Sequence, residues 1–128
     1  MIPSADLLHW LRELPSRRAL HTLKLISALL RKHREPRWDD RLSGAAGELS
    51  LANDAGNGEK TAARMHDILS LFNESDSLRD VRLSQQAGHD IKPENEAAVN
   101  AQLGALTMQL LLSAHQAIAR VKWRRRGQ

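Results

Sequence analysis

The segment from about residue 94 to residue 123 constrains the fold more than any other part of the sequence. Its apolar residues recur at helical spacing over one wide side, and its polar residues form a narrow seam. A helix with so broad an apolar arc must be contacted from more than one side. It therefore lies at the centre of a bundle or meets a partner chain, and the shorter amphipathic helices nearby favour the bundle. The apolar side comprises Leu103, Leu106, Leu110, Ala114, Ala117, Ile118 and Val121, widened by Met108, Leu111 and Leu112; the seam comprises Gln102, Gln109, Ser113, Gln116 and Arg120.

Helical signals also recur through the rest of the chain. Leu and Ala dominate the apolar residues, whereas the aromatic side chains that suit sheets are scarce, with three Trp, one Phe and no Tyr. The apolar spacing predicts helices over about residues 5–14, 17–33 and 59–72, and a long helix from Pro93 towards Trp123. A further short helix, capped by Ser75 or Ser77, is expected to stop near Gly88, since Asp80 stands three residues beyond Ser77 and resembles a capping box.

Prolines and glycines mark the expected boundaries. Pro15 ends or kinks the first helix, Ser16 is the expected cap of the second, and Pro36 ends the second. Between Arg37 and Gly58 the helical pattern weakens, because glycines and an Asn/Asp/Gly run interrupt it. We expect a short helix there, followed by a flexible loop over residues 44–58.

The length of 128 residues fits one domain. We therefore expect residues 1–128 to form a single all-α domain, a small helical bundle of about four to six helices around the long C-terminal helix. Residues 122–128 are expected to project from it as a basic tail.

Charge is distributed unevenly along the chain. Residues 1–41 hold nine Lys/Arg against five acids, residues 42–100 hold five against ten, and residues 101–128 hold five and no acid. Two basic ends thus flank an acidic middle. The ends could attract an anionic partner, or the middle could neutralise them in the folded molecule, and the sequence leaves both readings open.

The C-terminal basic run is the sharpest functional feature. If residues 120–126 are helical, their bases point around the whole circumference, so this turn cannot enter an apolar core. It must face water, where its cations would complement the helix dipole, or an anionic partner such as nucleic acid, with Trp123 stacking on a base. A second basic cluster surrounds Trp38 and includes Arg41. The candidate nucleic-acid-binding residues are Arg31, Lys32, Arg34, Arg37, Arg120, Lys122, Trp123, Arg124, Arg125 and Arg126.

Motifs for catalysis or metal binding do not emerge. The chain has no cysteine, and its six histidines include no pair at HxxxH spacing. His9 and Glu13 share a helix face, but local spacing supplies no further metal ligand. We expect a non-enzyme that has no metal and no cofactor.

The sequence thus predicts a non-enzymatic binding or regulatory protein that contacts nucleic acid through its basic terminal segments. The alternative is a helical protein–protein adaptor, such as a chaperone, anti-activator or secretion accessory, that could also form a homo-oligomer. Peripheral membrane attachment through Trp123 and the arginines is a weaker option. The protein–protein adaptor would use Leu103, Leu106, Leu110, Leu111 and Ile118.

A cytoplasmic location is expected, because charged residues interrupt the first apolar stretch and polar residues interrupt the long helix.

Overall fold

The computed structural model describes residues 14–73 and 77–126, with side chains at the C-terminal end only as far as Lys122. These residues form four α-helices and two 3-10 helices and contain no strand, which confirms the expected all-α bundle with a long C-terminal helix. The helices are α1 (Pro15–Lys32), α2 (Asp39–Ala55), α3 (Gly58–Ser70) and α4 (Glu96–Arg126), and the 3-10 helices are Leu78–Asp80 and Pro93–Asn95.

The four helices pack in a ring in which adjacent helices run antiparallel to each other. Each helix packs on the next, and α4 also packs on α1. The amide of Asn53, near the end of α2, donates to the carbonyl oxygen of Ser16 at the start of α1 across 3.3 Å. Gln116, in the C-terminal half of α4, accepts from Arg18 in the first turn of α1. The starts of α1 and α3 therefore share one end of the bundle with the C-terminal parts of α2 and α4.

The broad apolar side of α4 lies in the core of this bundle. Leu103, Leu110 and Ile118 are buried, and Leu106 and Leu111 are partly buried against the same core cluster. The residues that the adaptor alternative assigned to a partner are therefore packing residues of the chain itself. Ser113, expected in the polar seam, is also fully buried, because the packed arc of α4 is wider than the apolar residues alone indicate.

The prediction of a flexible loop over residues 44–58 is wrong. Helix α2 continues to Ala55, and only Gly56 and Asn57 connect it to α3. A Cβ added at Gly44 or Gly47 would meet no atom within 4 Å, so both glycines lie on an open side of the helix. On its other side, the buried residues Leu42, Leu49 and Ala52 pack into the bundle. This burial outweighs the helix-breaking tendency of the glycines.

Other boundaries differ in detail from expectation. Helix α1 begins at Pro15, with Leu14 in the capping position, so Ser16 lies inside the helix rather than capping it. The capping box of Ser77 and Asp80 is present, but it starts a 3-10 helix of three residues rather than a helix reaching Gly88. The helix predicted over residues 5–14 lies, except for Leu14, outside the described residues, as do His9 and Glu13.

The segment Pro93–Lys122 is long and apolar enough to cross a membrane by length and composition alone, and 28% of its most apolar 18-residue window is buried in the bundle. A single helix of this kind is weak evidence, because the core helix of a soluble protein passes the same test. The cellular location remains a prediction.

Candidate functional site

The two basic clusters singled out in the sequence lie at opposite ends of the bundle. Arg31 and Lys32 occupy the last turn of α1, whereas Arg120 and Lys122 lie near the end of α4, beside the first turn of α1. Helix α1 has 18 residues, which at 1.5 Å per residue separates the clusters by about 27 Å. They do not form one continuous patch.

Acidic side chains already neutralise part of the cluster at the end of α1. Arg31 Nε donates to Asp39 Oδ1 across 2.5 Å, and its Nη2 donates to Ser43 Oγ across 3.0 Å. Arg37 Nε donates to Glu35 Oε1 across 3.0 Å. The neutralising acids come from the same N-terminal segment, not from the acidic middle of the chain.

Trp38 is not available to stack on a nucleic-acid base. Its side chain is 4% exposed and belongs to the core. The guanidinium of Arg41 lies 4.5 Å from the centre of the Trp38 ring, a cation–π contact. At this end of the bundle Lys32 and Arg34 are exposed, and Arg34 has a φ of 57°, in the left-handed region where the chain turns away from α1.

The opposite end of the bundle carries a second group of bases, which we call the basic pole. Helices α1 and α3 both begin here, and each has a base in its first turn, Arg17 and Lys60 respectively. The pole comprises Arg17, Lys60, Arg120 and Lys122, all of which are exposed. Among the described residues, the nearby acids are Asp54, in the last turn of α2, and Glu59.

Helix α4 continues past the point where it packs on α3. Val121 packs against the start of α3, since a Cβ added at Gly58 would lie 3.7 Å from Val121 Cγ2. The helix then runs on to Arg126, about 7.5 Å further. Trp123, Arg124, Arg125 and Arg126 lie on this extension, and the contacts of their side chains fall outside the described residues.

A small cleft of about 150 Å³ opens at the pole between the starts of α1 and α3 and the end of α4. Arg17, Arg120 and Asn53 line it. Asn53 Oδ1 is buried there and has no hydrogen-bond partner among the described residues.

A buried charged network, which the sequence did not reveal, lies beside the end of α1, at the opposite end of the bundle from the basic pole. Glu35 is 3% exposed. Its Oε1 accepts from the backbone N–H of Arg37 across 3.0 Å, and its Oε2 accepts from His89 Nε2 across 2.6 Å. His89 Nδ1 accepts from the backbone N–H of Ser84, so the ring carries its proton on Nε2.

The environment of Glu35 favours the charged carboxylate. Burial opposes its ionisation, but the hydrogen bonds from Arg37 and His89 and the positive charge of Arg37 outweigh burial, and the pKa of Glu35 lies below its ordinary value. Glu35 and His89 are 54 residues apart, so no local pattern could have paired them. Among residues 14–73 and 77–126, no group of three His, Cys, Asp or Glu side chains is placed to hold a metal ion.

The network anchors the irregular segment between the 3-10 helices onto the end of α1. A second link reinforces it: His33 Nδ1 donates to the carbonyl oxygen of Asp90 across 2.8 Å, and the N–H of Asp90 donates to the carbonyl oxygen of His33 across 2.9 Å. On the α4 side, the Asn100 side chain both donates to and accepts from the backbone of Leu83. We interpret these groups as structural.

Comparison with known proteins identifies no relative. No protein-family model matches the chain, and neither the curated proteins nor the solved structures give a significant match.

Proposed function

We propose that this protein is a non-enzymatic, cytoplasmic regulatory protein that binds nucleic acid through phosphate contacts at its basic pole. The observation that supports this most strongly is the exposure of Arg120 and Lys122 on a helix that continues past its contact with Gly58. Contacts between Lys or Arg and phosphates give affinity without requiring a base-reading motif. The bases of residues 124–126 lie further along the same helix and add to that charge.

The helix dipole does not account for the pole. Cations at the end of α4 are favourable there and could simply stabilise the helix. Arg17 and Lys60, however, lie in the first turns of α1 and α3, where the helix dipole disfavours positive charge. The dipole therefore gives no reason for bases at these two positions, which supports a role in attracting an anion.

The proposal gives the cluster at the end of α1 a secondary role. Arg31 and Arg37 are already paired with carboxylates, and Trp38 is buried. Lys32 and Arg34 are the candidate bases at that end that remain exposed without a pairing of this kind. They would contact only a nucleic acid that extends along the bundle.

Fluorescence anisotropy with a labelled duplex and a labelled single strand tests the proposal. We expect the double variant Arg120→Gln/Lys122→Gln to bind roughly tenfold more weakly than the intact chain, because it loses phosphate contacts. The matched control, Lys32→Gln/Arg34→Gln, removes the same charge at the opposite end and should change affinity much less. Equal losses in both variants, or no binding by the intact chain, would overturn the proposal.

The adaptor alternative loses its residues, because Leu103, Leu110 and Ile118 are core residues. A different face of α4, which carries Met108 and Leu112, is exposed and apolar.

A further inference from the structure

The side of α4 that faces away from the bundle is apolar and exposed. Among its large side chains, Met108 is 64% exposed and Leu112 is 51% exposed. No Asp, Glu, Lys or Arg occurs between Ala97 and Ala119. We call this side the α4 outer face; at spacings of three or four residues it comprises Ala97, Ala101, Gly104, Met108, Leu112, His115 and Ala119, all exposed or half-buried.

The bundle itself does not need this face. Leu103, Leu110 and Ala117, on the opposite side of α4, supply its contacts with the core. Two large apolar side chains one turn apart lose contact with water only if something else covers them. The exposed Leu51 on α2, in contrast, shares its helix face with the charged residues Glu48 and Asp54, three residues away on either side.

Charges of opposite sign flank the α4 outer face. Glu94, in the 3-10 helix that precedes α4, is exposed and acidic; Lys122, near the end of α4, is exposed and basic. Both lie equally far from Met108 along the chain. If two copies of α4 pack antiparallel and cross at Met108, the 3-10 helix that carries Glu94 in each copy lies towards the end of the other copy's α4, which carries Lys122. The uncharged middle of each helix then faces the uncharged middle of the other.

We propose that the α4 outer face binds a second copy of this chain in an antiparallel, two-fold symmetric dimer centred on Met108. In such a dimer the same patch serves both copies, so its two halves must complement each other, as the charges at its ends do. Ala101 and Gly104 permit close approach of the two helices, and the flexible Met108 side chains fill the crossing point. A lipid surface fits less well, because Glu94 would be repelled by anionic headgroups.

The size of the face sets the strength of this dimer. From residue 97 to residue 122 the helix is about 38 Å long, and a contact stripe about 10 Å wide buries roughly 400 Å² per copy. The total of roughly 800 Å² lies below the roughly 1,000 Å² that a stable specific interface buries, so this dimer is a weak and transient one. We therefore expect a dissociation constant in the micromolar range.

Sedimentation equilibrium from about 5 to 500 µM tests the dimer directly. The intact chain should move from a mass of 14.3 kDa towards twice that value. Met108→Glu places two like charges at the crossing point and should weaken dimerisation at least about thirtyfold. The matched control Leu51→Glu changes a side chain on α2 that is more exposed than Met108 and should dimerise like the intact chain. Circular dichroism confirms that both variants are folded.

A charge exchange tests the antiparallel arrangement. Glu94→Lys or Lys122→Glu alone should weaken dimerisation about three- to tenfold at low ionic strength, because each change acts twice in a symmetric dimer. The double variant Glu94→Lys/Lys122→Glu should restore it. Three results would overturn the proposal: a monomer at the highest concentration, equal behaviour of Met108→Glu and Leu51→Glu, or no restoration in the double variant. A monomer that co-sediments with phosphatidylcholine vesicles would assign the face to lipid instead.

Discussion

His89 Nε2 donates a hydrogen bond to Glu35 Oε2 across 2.6 Å, and this bond joins the segment that precedes α4 to the end of α1. Both side chains are almost completely buried, at 7% and 3% exposure. The carboxylate accepts from Arg37 as well, so it is fully used by the protein's own donors. This hydrogen bond holds the segment before α4 against the end of α1, so we expect it to contribute to the free energy of unfolding.

Replacing His89 should destabilise the chain. His89→Ala leaves Glu35 without one donor and the N–H of Ser84 without its acceptor, so we expect the free energy of unfolding to fall by about 2 kcal/mol. Urea denaturation at neutral pH measures the change. The control Glu48→Ala removes an exposed pair with Arg64 and should cost less than about 1 kcal/mol. Equal losses in the two variants would contradict the structural role of His89.

Acid should selectively remove the contribution of Glu35. Its pKa is lower in the folded chain than in the unfolded chain, so its contribution is complete above the ordinary glutamate pKa of about 4.3 and is lost as the pH falls through the lower folded value. The difference in unfolding free energy between the intact chain and Glu35→Gln should therefore be largest near neutral pH and shrink below about pH 4. Urea denaturation at a series of pH values follows it. A difference that stays constant into acid would contradict the prediction.

Glycine substitutions should separate the helical part of residues 44–58 from its end. Gly44→Ala and Gly47→Ala should each raise the free energy of unfolding by about 0.5–1 kcal/mol, because both positions are helical and open. Gly56→Ala should lower it by about 1 kcal/mol, because Gly56 has a φ of 65°. Thermal unfolding measured by circular dichroism gives the signs. If the first two substitutions had no effect, residues 44–55 would not be a stable helix.

These glycines also show where sequence reasoning reached its limit. The strongly periodic helices, the capping box of Ser77 and Asp80, and the central place of α4 could be predicted from local patterns. The continuity of α2 could not, because it depends on burial of Leu42 and Leu49 against other helices. Local propensity alone favoured a loop.

The candidate site, too, could be predicted only in part from the sequence. The basic residues could be found from composition, but their separation to opposite ends of the bundle follows from helix order and direction. The pairing of Arg31 with Asp39 and the burial of Trp38 depend on how the chain turns after α1. Nothing in the local sequence distinguishes Arg31, which is paired, from Arg120 and Lys122, for which the described residues show no ion pair.

Two leucines on α4 should respond differently to truncation. Leu110 is fully buried, and Leu110→Ala should cost about 2–5 kcal/mol of unfolding free energy because it leaves a cavity. Leu112 is 51% exposed, and Leu112→Ala should cost less than about 1 kcal/mol at low micromolar concentration. Urea denaturation of both variants makes the comparison. Similar costs would mean that the helix is not oriented as described.

The salt dependence of duplex binding tests the basic pole most directly. Each phosphate contact contributes about −0.9 to the slope of log affinity against log salt, so five contacts from residues 120–126 would give at most about −4.5 from that segment. Removing residues 122–128 should make the slope of the intact chain clearly shallower while leaving the melting temperature nearly unchanged. An unchanged slope in the shortened chain, with its fold intact, would contradict binding through this end of α4.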